Sequence, residues 1–488
     1  MLWLPAAPKK TRSGRTFAEF FESRLFSIRP ALCAAVRTES DMRGDTEPPD
    51  NDEEGPDGVD EAPAGQLLRA AMYGGSYVRR ARRQEEAVGA DVGQPPRKRR
   101  KVEREPIRIE DVPAPTNGSL SRAHRKRQGQ RRTKVEVEGH VPRAAAYARR
   151  AAEARPLQTG LESGDLPVEL GAYRAGMPDA KELRGSKKSR GIDDFLRLGF
   201  QVLRWNGIDG VPLVDSEGRV FAVLAGRPKG ATYDGHVHRA FCLMVAAAAA
   251  RAAAKTPVQT HRRGFYTAIT VGISYGQGQT EPCSLQSEHP ELAEQLVKDS
   301  AFQELASFAS SMLAFWAPRL YDYYQDYNTK LDPSLKTPRP FARSVFASAT
   351  FNLGPNVWTF KHRDVLNLPF GWCAITALGN FDHTKGGHLV LWDLKLVIEF
   401  PAGATILIPS ATLAHSNIPV SKYEHRSSFT QYTAGGLFRY IDNGFRTEGE
   451  LAEEDPELYE VRVEEKEKRY QEGLALWSTM DELVARAE

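Results

Sequence analysis

The sequence predicts an α+β fold: a double-stranded β-helix (jelly-roll) core with flanking helices, preceded by a long disordered N-terminal region. Three observations predict it. Between Phe351 and Phe445, short β-rich runs recur at near-even spacing, at 372–378, 388–393, 396–400, 404–408, 413–419 and 427–433. Turn chemistry bounds them, at Gly386-Gly387, Pro401-Ala402-Gly403 and Pro409-Ser410, as short strands closing into a jelly roll require. Stretches of helical periodicity lie on both sides, and residues 1–140 include stretches with too little apolar character to bury a core.

The N-terminal region is segregated by charge. Residues 15–37 predict a short, loosely attached amphipathic helix, with Phe17, Phe20, Phe21 and Leu25 near helical spacing. Residues 41–61 hold ten acidic side chains against one basic and read as disordered. The sign then reverses: Arg79, Arg80, Arg82 and Arg83 precede PPRKRRKV at 95–102, and residues 95–134 carry fourteen Lys/Arg against four Asp/Glu. Five consecutive basic residues after a proline read as a nuclear localisation signal, so the expected location is the nucleus and the import machinery an expected partner. The same tract suits non-specific contact with nucleic acid. Its second cluster, HRKRQGQRRTK at 124–134, has no interleaved aromatics and is not by itself a base-reading surface.

A linker with a short Arg-bearing helix near 142–155 spans 141–190, and folded sequence begins near 191. Helical spacing is read over 192–205, a hairpin over 211–228 around Asp-Ser-Glu-Gly, and an Ala-rich helix over 236–255. A strand runs into a glycine-rich turn at 264–278, a helical pair covers 290–331, and a strand at 342–354 leads into the core. The domain is placed at 191–450, and a charged helix follows within 451–488. With 41% hydrophobic residues and seven Trp, the chain can build one sizeable core. Four scattered Cys, with no C-x-x-C pair, indicate neither a disulfide framework nor a zinc knuckle and suit a reducing compartment. No apolar run reaches the ~18–20 residues of a membrane span, so no membrane partner is expected.

The chemistry concentrates in the β-rich region. His362 and Asp364 form an H-x-D step; alternate residues of a strand share a face, so the two can grip one ion together. His415 follows 51 residues after Asp364, room for several short strands, and can supply a second imidazole. Two imidazoles and one carboxylate with open coordination positions are the facial triad of non-heme Fe(II) oxygenases. Arg426 comes eleven residues after His415; its guanidinium can hold a carboxylate through two parallel hydrogen bonds, with the Ser428 hydroxyl on the same strand face. An H-x-D tripeptide alone is a weak signal, and His236, His238, His289, His383 and His388 are competing histidines; His388 is read as an ordinary core or surface residue.

At these residues the sequence resembles the Fe(II)/2-oxoglutarate-dependent dioxygenases. Over HRDVLNLPFGWCAITALGNFDHTKGGHLVLWDLKLVIEFPAGATILIPSATLAHSNIPV it resembles their fungal TET/JBP-like branch, whose relatives oxidise the methyl group of 5-methylcytosine or thymine. The resemblance extends over roughly 200–445 and not over the N-terminal third. It implies His362, Asp364 and His415 as iron ligands, Arg426 on the far carboxylate of 2-oxoglutarate, and O2 as second cosubstrate. It implies nucleic acid, expected to be DNA, as substrate, with the base flipped into the barrel. Asn367 is then the candidate for reading the base edge, and Phe370 and Trp372 are candidates for stacking, with core packing as the other reading of both. The repair demethylases of the AlkB type carry a second Arg six residues after the first; Tyr432 stands there, which disfavours that chemistry. The alternatives are a 2-oxoglutarate hydroxylase of a protein or small molecule, and an inactive nuclear binding module.

Overall fold

In the computed structural model of the chain, the described residues are Val112 and 122–487, apart from 180, 181, 183–186, 255–259 and 286. The expectations for residues 15–37, for 41–61 and for the localisation signal at 95–102 lie outside them. The basic cluster at 124–134 lies on a helix, Arg122–Glu138, and a second short helix spans Ala144–Arg150.

Fifteen strands follow in the described residues: β1 (Leu157–Gln158), β2 (Gln201–Leu203), β3 (Val211–Val214), β4 (Val220–Gly226), β5 (Thr260–His261), β6 (Gly264–Phe265), β7 (Thr267–Ser274), β8 (Cys283–Ser284), β9 (Ser348–Leu353), β10 (Cys373–Asn380), β11 (Leu389–Leu391), β12 (Leu396–Ile398), β13 (Thr405–Ile408), β14 (His415–Asn417) and β15 (His425–Tyr432). Nine form one sheet in the order β1-β3-β4-β13-β10-β15-β9-β7-β8, four form another in the order β14-β11-β12-β2, and β5-β6 is a separate hairpin. The α+β expectation is what the structure shows.

Strand periodicity explains how the sheets pack. Leu389, Leu391, Leu396 and Ile398 of the small sheet share one apolar cluster with Ala374, Ala377, Ile406 and Ile408 of the large one. The alternate residues Val390 and Val397 point the other way, into a small cluster with Phe195 and Phe200. The far face of the large sheet, through Ile269, Phe351 and Phe429, packs on the helices Ala231–Ala253 and Ser300–Trp316. The large sheet is therefore covered by long helices on its outer face, whereas among the described residues the small sheet is met there by the short helix Ile192–Arg197.

Three helical expectations are corrected. The stretch read as helical over 192–205 is helical only to Arg197; Gly199 turns at φ +78° and the chain becomes β2, which pairs parallel with β12. The expected pair over 290–331 is three helices, Pro290–Lys298, Ser300–Trp316 and Pro318–Leu331. Asp299, in extended conformation, caps the second through the Ala301 N–H, and Pro318 stands at the start of the third, where its missing N–H costs nothing. The charged C-terminal helix is likewise three, Pro456–Glu465, Arg469–Leu474 and Met480–Ala485; Asp455 caps the first, a turn at 466–468 parts the first two, and Thr479 caps the third. They lie on the core: Leu474, Trp477 and Leu483 are buried, and the Trp477 indole donates to the carbonyl of Phe370 at 2.8 Å. Among the described residues no helix is long and apolar enough to cross a membrane.

Candidate metal centre

The two histidines of the predicted triad face each other across a backbone bridge. His362 N–H donates to the His415 carbonyl at 3.0 Å, and His415 N–H to the His362 carbonyl at 2.9 Å. This reciprocal pair fixes the register and leaves the rings with centroids 4.3 Å apart. Asp364, two residues on, returns to the same face, anchored by its N–H to the Ser410 carbonyl. One ligand atom from each of His362, Asp364 and His415 lies within 4.8 Å of the others. His362 Nε2 is 3.8 Å from Asp364 Oδ1, and His415 Nε2 is 3.9 Å from Oδ2.

Protonation follows from the hydrogen bonds. His362 Nδ1 lies 2.8 Å from the Phe360 carbonyl and His415 Nδ1 lies 2.9 Å from the Leu413 carbonyl. A carbonyl only accepts, so each Nδ1 carries the proton and each Nε2 presents its lone pair to the shared space. Burial lowers the pKa of both imidazoles and keeps them neutral, as metal ligands must be. Burial alone would raise the Asp364 carboxyl, yet the Arg263 guanidinium holds it well below the usual carboxylate range. Arg263 Nη2 lies 2.7 Å from Asp364 Oδ1, an ion pair without hydrogen-bond alignment. A neutral N, a second neutral N and a carboxylate on one face, with oriented outer hydrogen bonds, fit a divalent iron ion.

Arg426 lies on β15, 1% exposed. Its Nη1 donates to the Val357 carbonyl at 2.7 Å, while its buried Nε and Nη2 have no partner. Burial pulls its pKa down to about 10, so it remains a cation at neutral pH. Ser428 is buried two residues along, its Oγ accepting from the Asn352 amide at 3.0 Å. Two unsatisfied guanidinium donors inside a protein are costly unless an anion meets them, which suits a carboxylate guest.

The residue that sequence reasoning passed over is His388. It is 0% exposed, and neither ring nitrogen has a partner. A Cβ on the preceding Gly387 would lie 3.3 Å from Arg426 Cδ, so His388 springs from backbone that touches Arg426. The only sequence signal was a histidine beside two glycines. Arg263 was also missed, because the hairpin β5–β6 brings it to Asp364 by tertiary contact alone.

Burial, with the charges of His383 and Arg426, pulls the pKa of His388 down to about 4. Its ordinary value is near 6.5, so the unfolded chain binds this proton more readily, and the neutral form contributes stability above that pH. Apo protein should therefore lose up to about 3 kcal/mol through this group as pH falls from about 6.5 to about 4. His140, also pulled down to about 4 by burial, adds to the same window. Urea midpoints across that range should fall more steeply in the wild type than in His388→Asn; equal slopes would remove His388 from this role.

The structure treats the three substrate candidates differently. Asn367 is buried beside the centre, with its N–H on the Asp364 carbonyl and its amide on Ser410 Oγ at 3.2 Å. Phe370 and Trp372 are each 1% exposed and lie in the main apolar cluster. The Phe370 ring is seated where a Cβ on Gly473 would collide with it, and the Tyr323 ring meets it edge-on. Phe370→Ala should cost about 3–5 kcal/mol of stability, read by denaturant titration, with turnover per folded molecule unchanged.

No family model matches the chain, and no curated protein matches it. Among solved structures it is similar to NgTET1 in complex with 5mC DNA, at 12% identity over 52% of this chain and 88% of that one, with a TM-score of 0.34. It is similar to an oxidoreductase of the 2OG-Fe(II) oxygenase family from Burkholderia pseudomallei, at 16% identity over 43% and 93%, with a TM-score of 0.24. A third is the viral collagen prolyl hydroxylase of Paramecium bursaria Chlorella virus-1 in its 2OG complex, at 13% identity over 22% and 67%, with a TM-score of 0.16. At these values the functional reading rests on the geometry of the site itself.

Proposed function

We propose that the chain is an Fe(II)/2-oxoglutarate-dependent dioxygenase that oxidises the methyl group of 5-methylcytosine, or a related modified base, in nucleic acid. The observation that carries the reading is a two-histidine, one-carboxylate face, together with a buried arginine, Arg426, that has unsatisfied donors. Two sheets packed face to face, with His362 and His415 bridged at the edge of the smaller, support reading the core as a double-stranded β-helix.

Each residue then has a stated task. His362, Asp364 and His415 hold iron, and their Nδ1–carbonyl bonds keep the imidazoles aimed. Arg426 grips the far carboxylate of 2-oxoglutarate; Ser428 and His388 offer it further polar atoms. Bound iron with 2-oxoglutarate and O2 supplies the oxidising power, and decarboxylation of the cosubstrate to succinate accompanies methyl oxidation. No protein acid or base is required, so the chain contributes ligands, orientation and exclusion of water. Asn367, whose N–H bonds the Asp364 carbonyl, is the residue this reading assigns to the base edge. Entry to the nucleus through residues 97–101 belongs to the same reading.

The test is incubation with Fe(II), 2-oxoglutarate, ascorbate and a 5-methylcytosine duplex, followed by nucleoside mass spectrometry beside His362→Ala. Oxidised methylcytosine in the wild type alone supports the reading. Succinate without modified base would retain the oxygenase and discard the nucleic-acid substrate; neither product would overturn both.

A further inference from the structure

One carboxylate outside the ligand set touches both segments that carry the ligands. Asp393 stands in the turn between β11 and β12, its side chain 26% exposed. A turn aspartate ordinarily bonds the backbone of its own loop. This one instead accepts through Oδ2 from the Ala414 N–H, 21 residues away, at 2.6 Å, and through Oδ1 from Arg363 Nη2 at 3.3 Å. Ala414 precedes His415, and Arg363 lies between His362 and Asp364. Arg363 is buried with every guanidinium nitrogen engaged: Nε donates to the Thr412 carbonyl at 2.8 Å, Nη1 to Glu182 Oε1 at 2.8 Å, and Nη2 to Asp393.

The Ala414 N–H belongs to the same planar peptide unit as the Leu413 carbonyl, so a hold on one fixes the direction of the other. The Leu413 carbonyl is the acceptor for the His415 Nδ1–H, at 2.9 Å. Carboxylate, peptide and imidazole are therefore linked in series, ending at His415 Nε2. The negative charge of Asp393 polarises that peptide and makes its carbonyl a stronger acceptor, which makes Nε2 a better donor to a metal. His362 is aimed through a different peptide, by the Phe360 carbonyl at 2.8 Å, so the two imidazoles are supported by different groups.

We propose that Asp393 is a positioning residue for the metal centre: acting through the Leu413–Ala414 peptide, it aims His415 and strengthens it as a ligand, while Arg363 holds Asp393 in place. The proposal deepens the metal-binding part of the reading above and rests on it, whatever the substrate. A role in strand pairing alone is already filled. The backbone bridge between His362 and His415 sets the register of their two segments without Asp393.

The test uses the full chain with Co(II) as the probe metal, and histidine labelled for nitrogen NMR. Asp393→Ala should weaken Co(II) binding about 10–100-fold, the range for loss of a group that orients a metal's ligand. Asp393→Asn keeps an oxygen for the Ala414 N–H but loses the charge, and should recover part of that affinity. In metal-free protein the Nδ1–H resonance of His415 should move in both variants while that of His362 stays, a contrast that general loosening of the fold would not produce. Circular dichroism checks that each variant is folded. Wild-type Co(II) affinity in folded Asp393→Ala overturns the proposal. Should that variant not fold, wild-type affinity with an unmoved His415 resonance in Asp393→Asn does so. A His362 resonance that moves as far as that of His415 also overturns it, by marking a structural role alone. Wild-type protein that binds no Co(II) overturns the metal centre itself, and the proposal with it.

Discussion

Asp364→Ala should abolish stoichiometric iron binding and, with it, iron-dependent turnover of 2-oxoglutarate. Disturbing groups that merely orient a metal's ligands costs about 10–100-fold in affinity or activity, and loss of a ligand should exceed that. The fold should survive, because Arg263, the partner left behind, has a side chain 33% exposed and can turn toward water. His362 and His415 would stay in register, since their bridge is made by backbone. The checks are iron per chain by mass spectrometry, succinate formation, and circular dichroism. Full iron occupancy in a folded Asp364→Ala protein would remove this carboxylate from the centre.

Arg426→Met should raise the 2-oxoglutarate requirement steeply while leaving iron binding in place. Removing one partner of a buried, hydrogen-bonded charge pair costs about 2–5 kcal/mol, so the half-saturating concentration should rise roughly 30-fold or more. Met keeps much of the apolar volume next to Phe400, whose ring centroid is 6.0 Å from the guanidinium carbon, and limits collapse of the site. An unchanged dependence would show that some other cation holds the cosubstrate.

The strands around the site were legible because each is a short apolar run closed by Gly or Pro; the expected runs at 396–400 and 404–408 correspond to Leu396–Ile398 and Thr405–Ile408. The triad was legible because the strand period of two unites His362 with Asp364. His415, 51 residues later, needed only a neighbouring strand to bring it back. What escaped reading depends on tertiary contact. His388 has no local motif, and its two partnerless nitrogens become visible only once Gly387 is set against Arg426. Phe370 and Trp372 flank a glycine in a loop, and local sequence does not decide between stacking and core packing there. The C-terminal helices cover that loop, and the Trp477 indole closes on it. The breaks at Asp299 and Pro318 interrupt a stretch whose apolar periodicity runs on across them, so periodicity alone joined three helices into two.

The most direct test of the central claim is an anaerobic titration of 2-oxoglutarate into the Fe(II)-loaded protein, followed by visible absorption. A chelated 2-oxo acid on ferrous iron gives a metal-to-ligand charge-transfer band. The account predicts a band that saturates at one equivalent, is absent in Asp364→Ala, and needs far more 2-oxoglutarate in Arg426→Met. No band in the wild type, or the same band in Asp364→Ala, would contradict it.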